Sequence, residues 1–139
     1  MEWKDPPAGL ENHVVICNCS GQVRRIVGEL HAENVHDKPD VVLILQDGAL
    51  WRKNPGWHPD ESNEFTAEHF FVVDRQGGPA HQRNLLAASI PAARTAIILA
   101  DPRQGNLPDA RATLVALALE QQNPDAHTVM ELINSVNRG

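Results

Sequence analysis

Five short runs of apolar, mostly β-branched residues punctuate the chain: residues 13–17 (HVVIC), 41–45 (VVLIL), 70–73 (FFVV), 96–100 (AIILA) and 128–133 (TVMELI). The first four are continuous rather than alternating. A strand with one face on the core alternates apolar and polar residues, whereas a strand covered on both faces does not. The runs therefore predict a parallel sheet with helices on either side.

The segments between the runs carry helical spacing. Residues 21–32 place Val23, Ile26, Val27 and Leu30 on one stripe. Residues 79–89 open with Pro79 at a first helical position, behind Gly78. Residues 108–122 set Ala110, Leu114, Leu117 and Ala118 on one face, and Pro124 ends that helix. The order is strand, helix, strand, irregular segment, strand, helix, strand, helix, strand. Right-handed crossovers of this kind give an α/β fold, a three-layer Rossmann-type doubly wound sheet, mostly parallel and five-stranded.

Two segments break the rhythm. Residues 47–68 hold Trp51, Trp57 and the turn Asn54-Pro55-Gly56; a short helix over 49–53 followed by a loop is expected, with the tryptophans latching the loop to the body. Residues 101–107 (DPRQGNL) follow the fourth run directly.

Composition narrows the function. The 139 residues fit one domain, and a net charge of −6 with scattered Lys and Arg argues against nucleic acid or an anionic membrane surface as partner. Cys17 and Cys19, one residue apart, suit neither a disulfide framework nor a Cys-x-x-Cys metal site, and fit a buried strand end in a reducing, cytoplasmic compartment. Residues 1–10 lack the apolar core of a secretion signal, and no stretch reaches the roughly 20 apolar residues of a membrane span. The seven histidines include no i, i+4 helical pair of the zinc-protease kind.

Candidate chemistry gathers where the strands end. After the first run come Asn18, Cys19, Ser20, Gly21, Gln22 and Val23. A dinucleotide-binding turn has glycines where this chain has Asn18, Ser20 and Val23. Asn tolerates a left-handed turn, Ser is small enough for phosphate approach, and Val is bulky for close helix packing. Asp47, past the second strand, suits either a ribose-binding carboxylate or a strand-ending turn before Gly48. Gly77 and Gly78, past the third, suit close ligand approach or a tight turn. Ala100 and Asp101, past the fourth, line the crevice edge. Glu131, an acid in an apolar run, needs a partner, a metal or an exposed position.

Four stretches give the chain a family resemblance: residues 12–18 (NHVVICN); 70–73 (FFVV) running on to Gly77-Gly78-Pro79; 85–90 (LLAASI) followed by 93–101 (ARTAIILAD); and Asp109-Ala110-Arg111 with Asn123-Pro124 and 127–132 (HTVMEL). The chain resembles the N-terminal lobe of RCK domains (regulators of potassium conductance), also called TrkA-N or KTN domains, of prokaryotic potassium channels and transporters. The resemblance spans about residues 12–137. It implies a cytoplasmic, ligand-sensing regulatory lobe and no enzyme. The ligand it implies is an adenine nucleotide or NAD(H), with a divalent cation ranking behind.

Carried onto this sequence, the phosphate-facing turn is Asn18, Cys19, Ser20 and Gly21, the ribose acid is Asp47, and Gly77, Gly78, Ala100 and Asp101 border the crevice. Glu131 matches an acidic position that serves cations in some calcium-gated members, although Leu99 stands where such members supply another acid. The implied partners are a potassium channel pore or transporter subunit and further copies of the chain. The implied place is the cytoplasmic side of the membrane. Residues 1–11 then form a linker from a pore segment. Residues 12–139 form the lobe, ending before the family's sixth strand and dimer-crossing helix.

Three other classes compete. An NAD-dependent oxidoreductase fragment shares the fold class, but the chain has no Tyr for a Tyr-Lys pair and no second catalytic domain. A phosphoacceptor receiver needs acids where Asn18 and Cys19 stand. A structural or assembly lobe without a nucleotide ligand fits the altered glycine turn.

Overall fold

Strand pairing begins with four residues apiece. The computed structural model describes residues 3–99, 117, 119–125 and 127–130. β1 (Val14–Cys17), β2 (Val41–Ile44), β3 (Phe70–Val73), β4 (Thr95–Ile98) and β5 (His127–Met130) form one sheet in the order β3-β2-β1-β4-β5. Every pairing is parallel. This is the Rossmann-type doubly wound arrangement, with the order reversing between β1 and β4. All four residues are buried in each of β1, β2 and β3, as their unbroken apolar runs require.

Alternate residues feed two cores. Val15, Cys17, Val42, Ile44, Phe71 and Val73 pack with Leu85, Ala88, Ile90 and Leu119 on one face. Val14, Ile16, Val41, Leu43, Leu45, Phe70 and Val72 pack with Val23, Val27 and Trp51 on the other. The three layers follow from that alternation.

The predicted first helix is α1 (Gln22–Leu30), with Val23 and Val27 buried and Ile26 and Leu30 partly so. The segment expected as a short helix and a loop is more ordered than its sequence suggests. It contains α2 (Gly48–Lys53), a 3-10 turn at Pro55–Trp57 and α3 (Glu64–His69). The Asn63 side chain starts α3 by accepting from the amides of Phe65 (3.0 Å) and Thr66 (3.2 Å). Six residues are too few to show a helical stripe, so only the cap marked it. Trp51 is fully buried and Trp57 partly so, as a latch requires.

The helix expected over 79–89 is divided. Gly78–Ala80 forms a 3-10 turn and α4 runs from Gln82 to Ala87. His81 separates them, its Nδ1 accepting from the Arg83 amide at 3.2 Å. Of the helix expected over 108–122, residues 117 and 119–122 are described and are helical. The Asn123 side chain then donates to the carbonyls of Ile90 (2.9 Å) and Ala93 (3.0 Å), which fastens that helix end beside β4. Residues 3 and 4 also lie on the body. Lys4 O accepts from the Val72 amide at 2.9 Å, and the Trp3 ring meets Phe70 edge-on at 5.4 Å. No helix among the described residues is long and apolar enough to cross a membrane.

Candidate functional site

The parallel register places Cys17 level with Ile44 and Ile98, and Ile44 level with Val73. The chain therefore leaves β1, β2 and β3 along one edge, and that edge gathers Asn18–Gly21, Gln46–Gly48 and Asp74–Gly78. The sequence-predicted residues that the structure describes lie in these three exits. Ala100, Asp101 and Glu131 lie outside the described residues.

The turn after β1 depends on Asn18. Its φ of 78° is left-handed, a conformation Asn adopts at lower cost than most residues. Its amide donates to Ile44 O at 2.9 Å, and its Oδ1 accepts from the Cys19 amide at 2.9 Å. Ser20 then closes the start of α1. Its Oγ accepts from the Gln22 amide at 3.1 Å and its carbonyl from the Val23 amide at 3.2 Å. Two donors that a glycine turn would aim at phosphate, the amides of Gln22 and Val23, are thus satisfied within this chain. The amides of Ser20 and Gly21 make no hydrogen bond among the described residues.

An aromatic ring lies over the same place. A Cβ built on Gly21 would sit 3.5 Å from both Cδ1 and Nε1 of Trp57. The neighbouring backbone is tied to α1, because Arg24 Nη1 donates to His58 O at 3.2 Å. His58 in turn donates from Nε2 to Trp51 O at 2.8 Å, and its ring lies 4.2 Å from that of Trp51. Neither Trp57 nor His58 is visible as a site residue in the sequence, since both are distant in the chain from the turn they cover.

Asp47 is the N-cap of α2. Its Oδ1 accepts from the Leu50 amide at 3.1 Å. The carboxylate thus caps a helix, where the sequence suggested a turn or a ribose contact, and a ribose role must coexist with that bond. The two glycines after β3 have φ values of 95° (Gly77) and 58° (Gly78). A Cβ on Gly78 would stand 2.6 Å from Gln46 Oε1 and 3.0 Å from Gln46 Cα, so this close approach brings the exit of β3 against the exit of β2. Gly48 repeats the contact from the other side: a Cβ there would meet Asp74 Oδ1 at 2.5 Å. Asp74 is paired with Arg52 at 2.7 Å, both side chains being well exposed. Gln46, Arg52 and Asp74 also stand at this edge, and the sequence did not single them out as site residues. The adjacent pair Gly77-Gly78 was the signal that the exit of β3 lies close to other backbone.

Burial pushes the Cys17 thiol up to about 12, which keeps it neutral and unreactive. His13 and His31 are wholly buried, and burial holds both imidazoles below their ordinary value. His13 Nε2 donates to Ala88 O at 2.7 Å. His31 Nε2 donates to Pro39 O at 2.7 Å, so its Nδ1 accepts from the Thr66 hydroxyl at 2.9 Å. These are core histidines with structural bonds. Among the described residues no group of three His, Cys, Asp or Glu side chains is arranged to hold a metal.

The family model that describes the slowpoke-like RCK domain of calcium-activated potassium channels matches residues 9–130 of the chain. No curated protein matches it.

Proposed function

The chain belongs to the slowpoke-like RCK domain family, and from that premise we propose that it is a regulatory domain on the cytoplasmic side of a potassium channel or transporter, with no enzymatic step of its own. The family match across residues 9–130 carries this reading. The finer resemblance, to the TrkA-N lobes of prokaryotic channels and transporters that act as homo-oligomers, belongs to the same proposal.

The proposed ligand is an adenine nucleotide or NAD(H), lying over the carboxyl ends of the strands. Its phosphate meets the amides of Ser20 and Gly21 beside Asn18 and Cys19. Its ribose meets Asp47, and Gly77, Gly78, Ala100 and Asp101 border it. The amide accounting supports a ligand whose phosphate contacts are few, because Gln22 and Val23 already donate to Ser20. Ligand acts by differential affinity: whichever arrangement of the domain binds it better is populated, and the pore follows. A cation bound through Glu131 stands behind this ligand in the proposal.

A second reading, a structural or assembly lobe without nucleotide, is favoured by the Trp57 ring over Gly21. A thermal-denaturation panel with NAD, NADH, AMP, ADP, ATP and calcium separates the two. Selective stabilisation by one nucleotide supports the sensing role and names its ligand. No shift with any of them removes the nucleotide and leaves the assembly role.

A further inference from the structure

We propose that residues 3–5 are a strap whose docking on the sheet edge keeps Trp57 over Gly21, so that release of the strap uncovers the turn after β1. As a regulation of nucleotide binding this rests on the nucleotide reading; the link between strap and ring does not. β3 is the edge strand, and its Val72 amide donates to Lys4 O at 2.9 Å. The Lys4 ammonium also reaches Ala67 O at 3.5 Å, in an exposed position. Pro6 and Pro7 follow at once and have no amide to donate, so they cannot continue the pairing along β3. The strap is therefore short, and its main anchor is the ring of Trp3.

That ring is seated among three others. It meets Phe70 and His58 edge-on, each at 5.4 Å, and Trp51 at 6.0 Å. His58 thus lies between the rings of Trp3 and Trp51, the second 4.2 Å away. Its Nε2 donates to Trp51 O at 2.8 Å. His58 directly follows Trp57, the residue that covers Gly21.

The turn that carries Trp57 has few other ties. Its backbone bonds are local, from the Trp57 amide to Asn54 O at 2.9 Å and from the His58 amide to Pro55 O at 3.1 Å. Pro55 and Gly56 are exposed, and a Cβ on Gly56 would meet nothing within 4 Å, so the turn has open space on its outer side. The bond from Arg24 to His58 O is a single exposed one. The seat of His58 is the better-covered tie, and Trp3 forms one wall of it. With the strap docked, His58 is enclosed and Trp57 stays on Gly21. With the strap withdrawn, that wall is lost and the turn is free to swing outward. Whatever draws residues 3–5 off the edge of β3 shifts the population toward the open turn.

The experiment reads the ring without any ligand. The full chain is labelled with 5-fluorotryptophan, and its three tryptophans are assigned by single replacement with Phe. The measured quantity is the fluorine shift of Trp57 between H2O and D2O, which reports exposure and not neighbouring rings. Trp3→Ala should raise it toward the value of free 5-fluorotryptophan. Trp3→Leu, which keeps apolar bulk but loses the edge-on contacts, should raise it less, and it serves if Trp3→Ala does not fold. Leu119→Ala, in the core on the opposite face of the sheet, should leave it unchanged. In a His58→Ala background Trp3→Ala should add little, because the ring it acts through is gone. An unchanged Trp57 in both Trp3 variants overturns the proposal. So does an equal rise in Leu119→Ala, which would be general loosening, or a full further rise in the His58→Ala background. Calorimetry then separates the two readings: where a nucleotide binds, Trp3→Ala should tighten it several-fold. Absence of nucleotide binding in every variant removes the nucleotide and leaves the strap standing on the fluorine result.

Discussion

The indole of Trp57 covers Gly21, with Cδ1 and Nε1 each 3.5 Å from the point a Cβ would occupy. Gly21 carries one of two amides at this turn that make no bond among the described residues, so on the proposed nucleotide reading the ring borders the phosphate approach. Trp57→Ala should uncover that approach. Calorimetry should show adenine nucleotide binding tightened several-fold, alongside a stability loss of about 2 kcal/mol from the half-buried ring. Unchanged affinity would mean that the ring does not compete with the ligand.

Asp47 holds a helix start as well as its proposed ribose role. Asp47→Ala should cost about 1 kcal/mol in urea denaturation through loss of the cap to Leu50. Asp47→Asn keeps a capping oxygen and should change stability by less than about 0.5 kcal/mol. The Asn variant is therefore the clean binding test. Its affinity for the stabilising nucleotide should fall about tenfold, since a charge-assisted bond becomes a neutral one. Full affinity in Asp47→Asn would reduce the residue to a cap.

Glycine matters at position 78 for space as well as for backbone. Its φ is 58°, and a Cβ would stand 3.0 Å from Gln46 Cα. Gly9 shares the left-handed backbone, at φ 84°, but a Cβ there meets nothing within 4 Å. Gly9→Ala should cost about 1 kcal/mol and Gly78→Ala about 2 kcal/mol or more in equilibrium unfolding. Equal losses would show that the β2 and β3 exits yield easily.

The buried histidines give stability a definite pH dependence. Burial lowers His13 and His31 below 6.5 in the folded chain. The unfolded chain therefore takes up protons first as pH falls. The contribution of both residues is fully present above the unfolded value and is lost progressively below about pH 6.5, with a slope of up to about 1.4 kcal/mol per pH unit for each. Denaturation midpoints measured from pH 8 to pH 5 should fall on the acid side. In His31→Gln that acid-side slope should become shallower, and an unaltered slope would exclude His31 as a source.

The sheet was legible because its signal is local. An unbroken apolar run such as 41–44 requires cover on both faces, and α1 announces itself by the stripe from Val23 to Leu30. α3 was not legible, because the start of a six-residue helix depends on the single side chain of Asn63. His81 likewise divided the helix expected behind Pro79 through one cap to Arg83.

The sequence by itself determined the class of fold, the buried strands and the turn positions, all of which follow from residue type and spacing along a few consecutive residues. Only the tertiary structure decided what those turns face. Trp57 reaches Gly21, Asp74 reaches Gly48 and Gln46 reaches Gly78 across long sequence separations. The Lys4 carbonyl finds the edge of β3 in the same way. Such contacts are set by how the elements come to lie in space, and residue spacing along the chain does not encode them.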